Sequence, residues 1–253
     1  MPPKIDRTGE TFINKEGYSG KIVKYVNNRE VYIVFDDDNT STLIKCLYSS
    51  IVNKTIKYPN NPTYCGLGYI GYGNYPTLNE DGTVKKEFEL WRRMLYRCSE
   101  HYQNNRETYK GVKCCDYFKS YQNFAKWFED NYYEVEGERM HLDKDWLVKG
   151  NKIYSPETCV FVPHSINGLI VGNDKNRGDT PIGVSKLKNF YRARLKKQDH
   201  EVHLGLFDSP VEAFKIYKKA KEQHIKQVAE EYKDKIPMKL YEAMYSYEVE
   251  ITD

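Results

Sequence analysis

Two arginines one residue apart open the chemical reading of this sequence. In the run Tyr191, Arg192, Ala193, Arg194, Leu195, the alternation of an extended strand puts Arg192 and Arg194 on one face and the apolar members on the other. Guanidiniums at that spacing reach phosphates or guanine edges in a groove of duplex DNA. Residues 180–198 also hold Lys186, Lys188, Lys196 and Lys197 and no acidic residue. A positive surface facing a polyanion is therefore expected, although the net charge of the whole chain is only +3. The alternative is a solvated charged strand, which the lack of any nearby carboxylate except Asp199 disfavours. Further upstream, His141, Asp143 and Asp145 recur at a period of two, so an extended strand would line them on one side.

Other groups of chemically able residues read more plainly. Cys98, His101, Cys114 and Cys115 match no common zinc spacing, and buried thiols are the simpler expectation. The six cysteines include no Cys-x-x-Cys pair, and reduced thiols are expected. Asp36, Asp37 and Asp38 lack the spaced acceptors and closing glutamate of a calcium loop and read as a solvated turn. The glycine-rich run at 66–76 neither follows a clear parallel strand nor opens a helix, which argues against a nucleotide cradle.

The elements that must position these residues come from composition and periodicity. A chain of 253 residues, 40% hydrophobic and 14% aromatic, is expected to fold as two or three small domains, at about 150 residues per domain. No stretch approaches the roughly 20 apolar residues of a membrane span, and the start MPPKIDRTGE has no apolar signal-peptide core, so a cytoplasmic protein is expected. Residues 21–26 and 31–35 read as two strands of a hairpin turning at Asn27–Glu30, within a small β module over 1–78. In a second domain over 79–172, Leu90, Trp91, Met94, Leu95 and Cys98 mark one helix, and Tyr117, Tyr121, Phe124 and Phe128 a second. Residues 141–170 then read as strand, loop, strand and short helix. The polar, glycine-containing stretch 172–180 marks a boundary. A third domain over 180–253 shows three strand candidates, at 181–187, 190–195 and 201–207, before a long helix. Ser209, Pro210 and Glu212 mark its start, and Phe214, Tyr217, Lys221, Ile225, Val228 and Tyr232 give it a face to cover the sheet. At the end, Leu240 and Met244 suggest a helical turn or two, while residues 245–251 alternate like a strand. The fold class expected is α+β and multi-domain.

The C-terminal residues Gly183, Val184, Tyr191, Arg192, Ala193, Arg194, Leu195, His203, Leu204, Gly205, Phe207, Glu212, Ala213 and Tyr217 resemble the Apetala/ethylene-response-factor type of DNA-binding domain. That resemblance implies three antiparallel strands backed by a helix, reading the major groove from the sheet. The middle segment resembles the ββα element of HNH nucleases, especially the homing-type enzymes found in phages. Leu142, Asp143 and Lys144 stand where the family has Leu-Asp-His, Asn151 is the loop asparagine, and 157–167 matches the family's second strand and helix, ending on Asn167. The resemblance implies that Asp143 and Asn167 hold one Mg²⁺ or another divalent cation. It also implies a general base at Lys144, where this chain departs from the family. A lysine with an ordinary pKa near 10.4 is protonated at neutral pH and would have to be lowered by roughly three units. His141, on the face of Asp143, is the other candidate base, with Lys144 then contacting phosphate. His164 is expected near the site or as a surface group.

The function expected is metal-assisted nicking or cleavage of double-stranded DNA, with Lys186, Lys188, Arg192, Arg194, Lys196 and Lys197 docking the substrate and no membrane involved. For a phage-encoded chain the location is the host cytoplasm. The alternatives are a catalytically inactive DNA binder, either a regulator or a phage factor that blocks a host DNA-directed system and so meets a host protein, and an interaction module with an acidic partner.

Overall fold

The computed structural model of the chain describes residues 5–36, 42–170, 179–197 and 200–251. Asp37, Asp38, Asp199 and residues 172–178 of the expected boundary at 172–180 lie outside them. The chain forms two compact units, 1–110 with 114–126 and 111–113 with 127–253. The expected boundary after residue 78 falls inside the first unit, and that at 172–180 inside the second.

In the first unit, β1 (Thr11–Ile13), β2 (Ser19–Asn27), β3 (Glu30–Phe35) and β4 (Ile44–Cys46) form an antiparallel sheet in sequence order, followed by α1 (Tyr48–Val52). Asn27 pairs with Glu30, and the Asn27 side chain accepts the Arg29 N–H at 2.8 Å, which closes the expected hairpin turn. Phe12, Ile22, Val31, Ile33 and Phe35 fill the core beneath it, with Ile51, Ile56 and Tyr58. Next come α2 (Lys86–Cys98), α3 (Glu100–Asn104) and α4 (Asp116–Lys119), while β5 (Lys113–Cys114) and α5 (Tyr121–Asn131) are each divided between the units, after Lys113 and after Lys126. Of the expected α2 stripe, Trp91, Met94 and Leu95 are buried, Leu90 and Cys98 are half-buried, and Phe88 joins the buried face. The second stripe, expected as one helix, is broken at Ser120 into α4 and α5, which leaves Tyr117 exposed. The glycine-rich run serves packing here: a Cβ on Gly68 would lie 2.2 Å from the Leu95 side chain.

The second unit holds β6 (Met140–Asp143), β7 (Ile153–Tyr154), β8 (Val160–Pro163), α6 (His164–Asn167), β9 (Val184–Leu187), β10 (Phe190–Lys197), β11 (His200–Phe207), α7 (Pro210–Tyr232) and α8 (Met238–Tyr245). Strands β6 and β8 pair antiparallel, Met140 against Pro163 and Asp143 against Val160. The other sheet is antiparallel in the order β11-β10-β9. Ser209 Oγ accepts the N–H groups of Val211 and Glu212, so α7 begins where its cap and Pro210 predict. The last residues resolve as helix α8, with no strand after it among the described residues.

The face of α7 does more than cover the sheet. Ala213, Phe214 and Tyr217 pack with Val184 of β9 and Ala193 and Leu195 of β10, and Leu204 and Phe207 of β11 pack against them. Two turns on, Ile225, Val228 and Ala229 pack instead with Trp146, Val160, Val162 and Ile166, and with Leu240 and Met244 of α8. One helix thus closes two cores, and the expectation that the whole face lies on the sheet is corrected: apolar spacing shows that a stripe is buried but not against what. Ile225 is fully buried, so Ile225→Ala should cost about 2–5 kcal/mol in urea unfolding. Amide exchange should show β6, β8 and the β9–β11 sheet losing protection together, because α7 is common to both cores. Loss confined to β6 and β8 would contradict that.

Candidate functional site

The strand–loop–strand–helix element is assembled from short-range bonds. On β6, Leu142 turns inward and is buried, which sends His141 and Asp143 to the other side. Asp143 Oδ1 accepts the N–H groups of Asp145 at 2.7 Å and Trp146 at 2.9 Å and turns the chain out of the strand. Asp145 therefore lies past the end of β6, so the expected three-residue line of His141, Asp143 and Asp145 stops at Asp143. At the other end of the ladder, the His164 N–H donates to Arg139 O at 2.9 Å, and the His141 and His164 rings stack with centroids 5.1 Å apart. Asn167 is half-buried at the end of α6, which packs on both β6 and β8.

Lys144 points into the loop. It is only 6% exposed, and its Nζ donates to both carboxylate oxygens of Asp145, at 2.8 and 2.7 Å, and to Asn151 O at 2.8 Å. Asn151 answers through Nδ2, which donates to Lys144 O at 2.9 Å and Ile153 O at 2.7 Å, while its Oδ1 accepts the Ile153 N–H at 3.1 Å. This clasp consumes all three ammonium donors, and a buried cation without its partners is costly. Three of the five catalytic candidates, Asp143, Lys144 and Asn151, thus shape the loop, and His141 is left as the basic side chain on the strand.

Sequence reasoning missed a polar network beside them. Glu138 accepts from the Tyr232 hydroxyl at 2.7 Å and from the Ser165 N–H at 3.3 Å, and Ser165 Oγ lies 2.9 Å from the same hydroxyl. Burial alone would push the Glu138 carboxyl up, but these bonds and nearby His164 hold it below its ordinary value. The available signal was Tyr232, placed on the buried stripe of α7 but carrying a hydroxyl that needs a partner.

Among the described residues no three His, Cys, Asp or Glu side chains gather as metal ligands, Cys98, His101, Cys114 and Cys115 included. The expected Mg²⁺ pair is a carboxylate and an amide oxygen. Burial pushes the Asp143 carboxyl up against the pull of its two backbone donors, with Asp145 adding to the rise. A desolvated carboxylate with Oδ2 outside its own turn is a donor suited to a hard cation that keeps most of its waters, and the amide oxygen of Asn167, at the end of α6, is a donor of the same hard kind.

No protein-family model, curated protein or solved structure matches this chain. Nor, among the described residues, is any helix long and apolar enough to cross a membrane.

The β9–β11 sheet divides the expected basic surface in two. Ala193 and Leu195 are buried against α7, so Arg192, Arg194 and Lys196 lie on the outer face. Lys186 pairs with Tyr191 and Lys197 with His200, which puts both lysines on the helix side, and Lys188 occupies the β9–β10 turn at φ 54°. Nor is the charge unneutralised: Arg194 donates to both oxygens of Glu201, at 3.0 and 3.2 Å. That carboxylate is seven residues away in sequence but on the neighbouring strand, where a linear count does not find it. Leu187, Phe190 and Leu206 stand exposed on the same outer face. Between them, Arg192 Nε and Ser185 Oγ, on cross-strand partners, are each buried without a hydrogen-bond partner. Each such group costs on the order of 1–3 kcal/mol until a ligand or water satisfies it.

The raised Asp143 has a consequence for stability. Its proton is held more tightly in the fold than in the unfolded chain, so ionisation removes stability as pH rises from about 3.9 through the raised folded value. Asp143→Asn should therefore gain on the wild type over that interval in urea unfolding with chelator present. A difference between the two that does not vary with pH would contradict this placement.

Proposed function

We propose that this chain binds duplex DNA through the outer face of the β9–β11 sheet and hydrolyses its backbone at the ββα element, as an endonuclease resembling the HNH homing type. The observation that carries the reading is the strand–loop–strand–helix unit, in which Asn151 closes the loop while β6 presents His141 and Asp143 on one side. Asp143 and Asn167 would hold Mg²⁺, which when bound stabilises charge on the phosphate and the leaving oxygen. His141 takes the proton of the attacking water, since an imidazole can accept one near neutral pH. His164, stacked on it, fixes the plane of the ring. Lys144 moves no proton and keeps the loop in register through Asp145 and Asn151.

Arg192 and Lys196 dock the substrate, with Lys188 at the turn and Arg194 once it exchanges Glu201 for phosphate. Phosphate contacts set register, base contacts set preference, and affinity falls steeply with salt.

The Lys144 clasp favours a second reading, in which the same chain binds DNA without cutting it and the ββα element is scaffold. Supercoiled plasmid with Mg²⁺ separates the two. Under the first reading, nicking appears and falls at least about 100-fold in His141→Ala, with larger loss in Asp143→Ala. No nicking at any divalent metal or pH tried would leave the binder.

The docking face has its own test. Glu201→Gln should raise affinity for a duplex oligonucleotide up to about fivefold by releasing Arg194, whose exposed ion pair is worth at most about 1 kcal/mol. Arg192→Ala should lower affinity by roughly tenfold and flatten the salt dependence. If both leave affinity and salt slope unchanged, the sheet is not the DNA-binding surface.

A further inference from the structure

The helix side of the same sheet carries basic residues that the reading above does not use. Lys197 follows Leu195 by two residues on β10 and so faces α7, and its cross-strand partner His200 faces the same way. Opposite them, α7 passes from one core to the other. Tyr217 belongs to the core under the sheet and Ile225 to the core under the ββα element, with Lys221 and His224 between them on the same stripe. His224 is 8% exposed, and its Nε2 is buried without a hydrogen-bond partner.

The charges that face His224 are of one sign from every side. Lys197 comes from β10, His200 from β11 and Lys221 from α7 itself, and no carboxylate acts on it among the described residues. Burial first, and then these three neighbours, push the imidazole below its ordinary value, and burial lowers the Lys221 ammonium as well. Four nitrogen bases on three elements thus converge with no acceptor among them. An apolar side chain in place of His224 would serve packing better, so a buried, unpartnered imidazole faced by three other basic side chains has the character of a site for an anion.

We propose that Lys197, His200, Lys221 and His224 form a seat for a phosphate group. A phosphate group, a monoanion in a backbone diester and of charge about −1.5 to −2 as a free or monoester phosphate, is tetrahedral and so presents its oxygens to groups arriving from different directions, which the planar carboxylate does not. The phosphate is either one of the nucleic-acid backbone or part of a small phosphorylated compound. The seat is independent of the outer-face contacts, so it stands or falls separately from the DNA reading. Because the anion favours the protonated imidazole, its binding takes up protons and strengthens as pH falls toward the ordinary histidine value near 6.5.

The test follows the His224 ring by NMR in the full chain with isotopically labelled histidine, titrated with inorganic phosphate at constant ionic strength against chloride. Phosphate should shift the ring signals saturably and raise the His224 titration midpoint by about one pH unit, and chloride should not. Lys197→Gln and Lys221→Met, checked for folding by thermal unfolding, should each weaken the response at least about tenfold. No response in the wild type, or one unaltered in both folded variants, overturns the seat. A duplex oligonucleotide that reproduces the shift and competes with phosphate identifies the occupant as backbone; a shift with phosphate and none with the duplex identifies a small compound. Duplex affinity that depends on Arg192 while phosphate leaves His224 unmoved would refute the seat and spare the DNA reading.

Discussion

The burial of one face of α7 is the constraint on which the second unit depends. Its first three turns roof the β9–β11 sheet, and its later turns, with α8, close over the hairpin of β6 and β8. The two-stranded ladder of β6 and β8 is marginal in water without a helix packed on it, and the apolar face of the three-stranded sheet needs a cover to be buried. Tyr217 lies against Gly183, where a Cβ would come within 2.1 Å of the ring and where φ is +74°, so both space and backbone conformation call for glycine. At the far end, the Tyr232 hydroxyl ties the helix to Glu138 and Ser165 at the start of α6. The element that carries the candidate chemistry and the sheet that carries the arginines are thereby parts of one packed body.

Within that body, polar groups are used twice over. Asp143 ends a strand through its own backbone turn and remains a desolvated carboxylate. Lys144, at the position where the resemblance implies a base, is spent on Asp145 and Asn151. An ammonium that donates three hydrogen bonds inside a loop contributes order and has no lone pair to offer a proton. The basic side chain that the strand itself carries is His141, whose ring stacks on that of His164.

Charge on the β9–β11 sheet follows the pleat more than the local count. Six basic residues close in sequence end on two faces and a turn, and the face with Arg192 and Arg194 also bears Glu201 and three exposed apolar side chains. Pairing slips between Ala193 and Arg194, so that Gly205 and His203 face them and Leu204 becomes the extra residue. This bulge keeps Leu204 against the core while His203 stays out. It is the local device by which β11 serves both faces.

The sequence by itself determined what is settled by neighbours a few residues apart. The β2–β3 hairpin with its Asn27–Glu30 turn, the buried stripe of α2, the cap of α7 and the order strand, loop, strand, helix at 140–167 were all legible, because periodicity, turn residues and caps act over one or two turns of chain. Only the tertiary structure decided the break at Ser120, the passage of α7 from one core to the other, the commitment of Lys144 to its loop, the pairing of Arg194 with Glu201 and the convergence of Lys197, Lys221 and His224. Each of these depends on which residues meet across strands or between helix and sheet. Periodicity reveals that a side chain is buried or exposed, but the partner that fixes its charge, hydrogen bonding and chemistry comes from a distant part of the chain.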